Sequence, residues 1–137
     1  MGSGAKRICV CLCVLSIACV TASGKDLGQR EARMWEVVEW RVEAKDYSGN
    51  PFDVVARVTF THKAGGEKRT TEMFYDSGKT WKFRFVGTRV GQWTFETTSN
   101  ADGLGGLTGS IQVSRNDDSK IKGFVTNVGN KFAVQVK

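Results

Sequence analysis

Beyond its first nineteen residues the chain contains no cysteine, and the whole chain has a single proline and a single histidine. All four cysteines, Cys9, Cys11, Cys13 and Cys19, lie inside that initial stretch. The rest of the chain therefore has no disulfide framework and must be held together by the packing of its core. A lone histidine supplies too few ligands for zinc, so His62 is expected to be an ordinary strand-end residue, and no metal or cofactor is expected.

The N-terminal segment has the order of charged, apolar and small residues that is typical of a secretory signal peptide. Lys6 and Arg7 precede the apolar run Ile8 to Val20, and small polar residues follow it. The run has about thirteen residues, which is short for a bilayer-spanning helix, and no other segment approaches the necessary length. We expect residues 1–22 to be removed near Ala22, leaving a secreted or periplasmic protein without a membrane span.

Two other interpretations of the N-terminal segment stay open. A bacterial lipoprotein would carry its lipid on Cys19, but Ser16 stands where such proteins usually have leucine. A retained N-terminal anchor is the second alternative.

The formal net charge of the chain is +6, and the excess is spread among strands and turns without a basic cluster. A nucleic-acid partner is therefore not expected.

Beyond the signal segment the apolar residues repeat with a period of two. Trp81, Phe83 and Phe85 alternate with Lys82 and Arg84, and Trp93 and Phe95 share one face in the same way. Such alternation predicts half-buried antiparallel strands. Strands are predicted at Trp35–Ala44, Val54–His62, Glu67–Tyr75, Thr80–Phe85, Gly91–Thr98, Gly109–Ser114 and Phe132–Val136. Turn-forming Gly, Asn and Asp residues separate them, which predicts an all-β sandwich of two sheets.

The acidic residues do not form a recognisable catalytic pattern. Glycoside hydrolysis normally needs two carboxylates facing each other across a bond, and the spacing of the acidic residues pairs no two of them. Asn100-Ala101-Asp102-Gly103 resembles half of a calcium loop, but it lacks the additional acidic ligands and is also a typical turn. No catalytic, cofactor-binding or metal-binding residue is therefore assigned.

The aromatic residues are the one group with two interpretations. Those on the alternating apolar faces are expected to pack in the core. Trp35, Tyr47 and Tyr75 lie near predicted strand ends, where a ring can also stack on a sugar or contact a neighbouring domain. These three are the candidate site residues for carbohydrate or interface contact.

Four sequence segments occur in an order that resembles a known family: Met34 to Trp40, Asn50 to Val54, Phe74 to Phe85, and Gly91 to Thr97. Their sequences include "WEVVEW", "NPF", "FYDSGKTWKFRF" and "GQWTFET". Together they resemble the N-terminal immunoglobulin-like module, the domain-of-unknown-function 5060 family, of proteins assigned as secreted glycoside hydrolases. The resemblance covers roughly Trp35 to Val113.

The resemblance implies an immunoglobulin-like antiparallel β-sandwich over residues 33–115. In that family the module precedes a catalytic (β/α)-barrel, and residues 116–137 resemble the junction leading into it. A barrel needs about 250 residues, so it is absent from this chain and its catalytic carboxylates have no counterparts here. The implied function is a non-catalytic accessory module whose partner is the glycoside hydrolase catalytic domain. The alternative is a carbohydrate-binding module that holds a polysaccharide through exposed aromatics.

Overall fold

The computed structural model describes residues 24–45, 47–121 and 123–134, and the predicted signal peptide at residues 1–22 lies outside them. The regular elements of the described residues are ten strands and one short 3-10 helix at Pro51–Asp53. The strands are β1 (Asp26–Arg33), β2 (Val37–Glu43), β3 (Ala56–His62), β4 (Lys68–Glu72), β5 (Phe74–Ser77), β6 (Thr80–Val86), β7 (Gly91–Ser99), β8 (Thr108–Ser114), β9 (Val125–Val128) and β10 (Lys131–Val134). No helix among these residues is long and apolar enough to cross a membrane.

Two sheets form a sandwich, and a separate hairpin follows it. The larger sheet has five strands in the order β1-β8-β7-β3-β4, and the smaller has three in the order β2-β6-β5. All pairs in the sandwich are antiparallel except β1 with β8. The predicted all-β, immunoglobulin-like sandwich is thus confirmed, with one parallel edge strand added.

The core lies between the two sheets and is rich in aromatic rings. Trp40 stacks on Phe83 with ring centroids 5.1 Å apart, and Phe60 stacks on Phe85 at 4.2 Å. The residues expected in the core are fully buried with one exception, Val38, which is partly buried and packs against the others. The fully buried residues are Trp40, Val58, Phe60, Trp81, Phe83, Phe85, Trp93, Phe95, Ile111 and Val113. The period-two pattern therefore identified the buried faces.

Within the sandwich, two strand assignments differ from the sequence prediction. β1 begins at Asp26, ahead of residue 33 where the sandwich was expected to start, and it pairs along β8. The single strand predicted at Glu67–Tyr75 is divided at the buried Met73, whose N–H donates to the carbonyl of Ala56. β4 belongs to the larger sheet and β5 to the smaller one, so the chain changes sheets at Met73.

The C-terminal hairpin lies outside both sheets of the sandwich. β9 and β10 pair only with each other, within the segment expected to be the junction. The predicted strand Phe132–Val136 corresponds to β10, although Val136 lies outside the described residues. A two-stranded hairpin is only marginally stable by itself in water, so this one depends on what its apolar side chains contact.

Candidate functional site

Trp35 lies in the turn that carries the chain from the larger sheet to the smaller one. Its backbone is in the left-handed region with φ of 70°, unusual for a bulky residue. Its N–H donates to the carbonyl of Gly87 at 2.9 Å, and its half-buried ring meets Phe124 edge-on at 5.2 Å. The indole Nε1 is buried and has no hydrogen-bond partner among the residues that the structure describes. Trp35 therefore attaches the segment before the hairpin to the sandwich.

Tyr47 has a structural contact of its own. Its hydroxyl donates to the carbonyl of Asn50 at 2.6 Å, and its ring packs partly against the core. The Asn50 side chain in turn accepts from the N–H of Phe52 and caps the short 3-10 helix. The Tyr47 ring therefore braces this loop.

Tyr75 lies on β5, at an edge of the smaller sheet. It is 37% exposed and contacts the buried Trp81 edge-on, with ring centroids 5.5 Å apart. Trp81 pairs with Val42 near the end of β2, whereas Trp35 precedes the start of β2. Trp35 and Tyr75 thus lie at opposite ends of the smaller sheet, and the candidate rings do not form one platform.

The hairpin and the residues beside it carry several exposed apolar side chains. Exposure is highest at Val125 and Val128, 68% and 62%, and Phe124 and Val134 are nearly half exposed. Val37, 63% exposed, pairs with Val86, and Val86 lines a surface pocket together with Phe124. We call Val37, Phe124, Val125, Val128 and Val134 the tail patch; Val125 pairs with Val134 on one face of the hairpin, and Val128, three residues along β9, points to the other face. The apolar content of the tail was visible in the sequence, but its proximity to Trp35 was not.

The outer face of the smaller sheet carries a continuous set of ion pairs. Lys82 lies 2.8 Å from Asp76 and 3.6 Å from Glu39, and Arg84 lies 2.7 Å from the other oxygen of Glu39. The hydrogen bond from Lys82 lowers the pKa of Asp76, and that from Arg84 lowers the pKa of Glu39. The same contact with Asp76 raises the pKa of Lys82.

Glu39 and Asp76 both contact Lys82, but this pair of carboxylates is unsuited to glycoside hydrolysis. The general acid of a glycosidase needs a raised pKa so that it holds a proton at working pH. Both Glu39 and Asp76 have lowered pKa values and are neutralised by basic neighbours. Their contacts stabilise the ionised carboxylates and thereby stabilise the smaller sheet.

We predict that Lys82→Met destabilises the protein more at pH 7 than at pH 3. A carboxyl group with a lowered pKa in the folded state stabilises it above its unfolded pKa, here near 4.5 for Glu39 and 3.8 for Asp76. That contribution disappears as pH falls through the folded pKa values. Urea melts at both pH values test this, with Lys63→Met as the control. An equal loss at pH 3 and pH 7 would show that only the Lys82 stem matters.

Other polar candidates also have structural partners. Nδ1 of the buried His62 accepts from Gly65 N–H at 3.1 Å, and Nε2 donates to the carbonyl of Val90 at 3.0 Å. The side chain of Asn100 binds the backbone of Val55 and Asp53, so the predicted turn is formed. No group of three His, Cys, Asp or Glu residues within the described ranges could hold a metal ion.

The described residues form a small all-β sandwich with an appended hairpin. The family model of the domain of unknown function DUF5060 matches residues 31–100, just over half of the chain. The chain therefore belongs to the DUF5060 family. No match was found among curated proteins.

A solved structure supports the same relationship. It is described as a "putative glycoside hydrolase" from Bacteroides vulgatus ATCC 8482, and the similarity has a TM-score of 0.66 at 29% sequence identity. The match covers 79% of the present chain but only 20% of the other. The chain thus corresponds to about one fifth of that protein, and the resemblance to a module of a larger glycoside hydrolase is confirmed.

Proposed function

We propose that this chain is a non-catalytic accessory module that packs against the catalytic domain of a glycoside hydrolase and positions it. The observation that carries the proposal is the tail patch, a set of exposed apolar residues on and beside a hairpin that belongs to neither sheet of the sandwich. Exposed apolar patches of this kind mark interaction sites. The structural relative supports the choice of partner, since four fifths of that chain lie beyond the match.

The alternative, sugar binding through exposed aromatics, has less support. Trp40, Trp81 and Trp93 are each no more than 3% exposed. Trp35 is half-buried against Phe124, and Tyr47 is held by its loop. Tyr75 is the remaining candidate ring, and one ring at a sheet edge offers little stacking area for a polysaccharide. The candidate residues therefore favour interface contact at Trp35.

A chimaera tests the docking role. The present chain would replace the matched fifth of the Bacteroides vulgatus protein, and calorimetry would follow unfolding of the remainder. We expect the remainder to melt at a higher temperature in the chimaera than when produced alone, because docking stabilises the folded state. The double variant Val125→Ser/Val128→Ser should remove that gain. Phe52→Ser, which alters an 86% exposed ring beyond the far end of β2, is the matched control.

The isolated chain provides the second half of the experiment. Deleting residues 121–137 should change its melting temperature by only a few degrees and reduce self-association, because the hairpin adds no strand to either sheet. Independent melting of the two parts of the chimaera would contradict docking. Unfolding of the deletion variant would instead show that the hairpin is part of the sandwich core.

A further inference from the structure

The outer face of the five-stranded sheet contains a groove that neither the tail patch nor the candidate aromatics explain. It has a volume of about 530 Å³ and is lined by side chains from β3, β4, β7 and β8 and from the start of β1. The groove lies on the face opposite the core, because its lining residues alternate with the buried Val58, Phe60, Trp93 and Ile111. It is therefore separate from the packing of the sandwich.

Polar side chains, all of them hydroxyls except Glu96, form two rows that cross the strands of this groove; we call these the two hydroxyl rows. One row pairs Thr61 with Thr94 and Thr94 with Ser110, and the second pairs Thr59 with Glu96 and Glu96 with Thr108. Neighbouring strands are about 4.8 Å apart, so each row presents a polar side chain at that interval. The register of three strands thus produces a regular polar surface.

Most of these hydroxyls have no partner within the described part of the chain. Thr59 shares a hydrogen bond with Thr70 at 3.3 Å, but the side chains of Thr61, Thr94, Thr108 and Ser110 make none with other described residues. All four are half-buried. Each hydroxyl can donate one hydrogen bond and accept two. The groove therefore offers unused donors and acceptors in a partly enclosed place.

The charges around the groove select among ligand classes. Lys63 and Lys68 line it together with Asp26 and Glu96, so positive and negative groups balance. A nucleic acid or another polyanion would meet two carboxylates, and an apolar peptide would find no Val, Leu, Ile or Met side chain among the lining residues. A neutral carbohydrate fits, since its own hydroxyls both donate and accept hydrogen bonds.

We propose that this face binds a neutral polysaccharide chain through hydrogen bonds from the two hydroxyl rows. This activity is additional to docking and uses a different surface from the tail patch. Binding is weak, with a Kd near the millimolar range, because no aromatic ring lines the groove except the core residue Phe95. The site would hold a substrate chain beside a partner domain without acting on it.

Two-dimensional NMR titration of the full chain with cellohexaose, xylohexaose and mannohexaose tests the proposal. We expect saturable shifts of backbone amides in β3, β7 and β8 with at least one hexaose. The double variant Thr61→Val/Thr94→Val, which keeps the side-chain shape, should weaken binding about tenfold. Thr98→Val is the matched control, because Thr98 is exposed on the same face of β7 but outside the groove.

The other outcomes overturn the proposal. Absence of saturable shifts with all three hexaoses would exclude a neutral-sugar site, and shifts centred on Tyr75 would return sugar binding to the aromatics. Saturable shifts only with trigalacturonic acid, lost in Lys63→Gln/Lys68→Gln, would make the ligand anionic. The Val125→Ser/Val128→Ser variant should bind the hexaose normally, so failure of docking and failure of sugar binding are distinguishable.

Discussion

Phe83→Ala is expected to lower the free energy of unfolding by about 3–5 kcal/mol. Phe83 is fully buried at the centre of the core, stacked on Trp40 at 5.1 Å and edge-on to Phe95 at 5.4 Å. Truncation removes these contacts and leaves a cavity that the rigid strands on either side cannot close. A domain of this size has a total stability of about 5–15 kcal/mol, so the variant would approach the unfolding threshold. Urea unfolding at low temperature measures the loss.

Phe74→Ala is the matched control for this measurement. Phe74 pairs with Lys82 on the outer face of the same sheet, is 38% exposed, and contacts the Arg84 guanidinium at 4.9 Å from its ring. Its loss should cost less than about 1 kcal/mol. Equal effects of the two substitutions would mean that the inner and outer faces of the smaller sheet have been assigned wrongly.

The sequence predicts the strands in which apolar and polar residues alternate, and β1 shows why a strand without that alternation is not predicted. In its sequence, DLGQREAR, the apolar residues that pack against the core are Leu27 and Ala32. Both are only partly buried. An edge strand buries little side-chain surface, so its backbone pairing with β8 determines its position. Backbone hydrogen bonds leave no pattern in side-chain types, so the sequence does not predict this strand and the expected sandwich starts only at residue 33.

The division of the predicted strand Glu67–Tyr75 has a different cause. Thr71, Met73 and Tyr75 continue the alternation without interruption, so period two alone gives one strand. The change of sheet depends on the N–H of Met73 bonding to Ala56 and on the pairing of Tyr75 with Trp81. Both are contacts between residues distant in sequence, and no local pattern records them.

The candidate sites also differ in how far they can be predicted from the sequence. The apolar tail and the candidate Trp35 were recognisable from residue type and position, although the contact between Trp35 and Phe124 required the structure. The hydroxyl groove was not recognisable, because single threonines on separate strands are ordinary outward-facing residues. Only the register of β3, β7 and β8 places Thr61, Thr94 and Ser110 in one row.

Thr97→Val is expected to cost about 2–5 kcal/mol, although it preserves the shape of a fully buried side chain. The Thr97 hydroxyl donates to the carbonyl of Leu104 at 2.6 Å and accepts from the N–H of Leu107 at 2.9 Å. Valine leaves both backbone groups buried without these partners, and each such group costs about 1–3 kcal/mol. Chemical unfolding should show a lower midpoint with an unchanged slope, since the exposed surface is the same.

Two neighbouring substitutions isolate the hydroxyl as the cause. Thr97→Ser retains both hydrogen bonds and should recover most of the stability, whereas Thr98→Val changes an exposed residue and should stay within about 0.5 kcal/mol of the original chain. The loop that the Thr97 hydroxyl holds places Leu104 and Leu107 in the core. Gly103, in the same loop, lies so close to β2 that a Cβ at this position would be 3.0 Å from the carbonyl oxygen of Glu43. Losing the two bonds therefore loosens one end of the sandwich, and native-state hydrogen exchange in Thr97→Val should rise first at the amides of Gly106 and Leu107. Uniform exchange across the domain would instead mean that the loop does not open separately from the rest of the core.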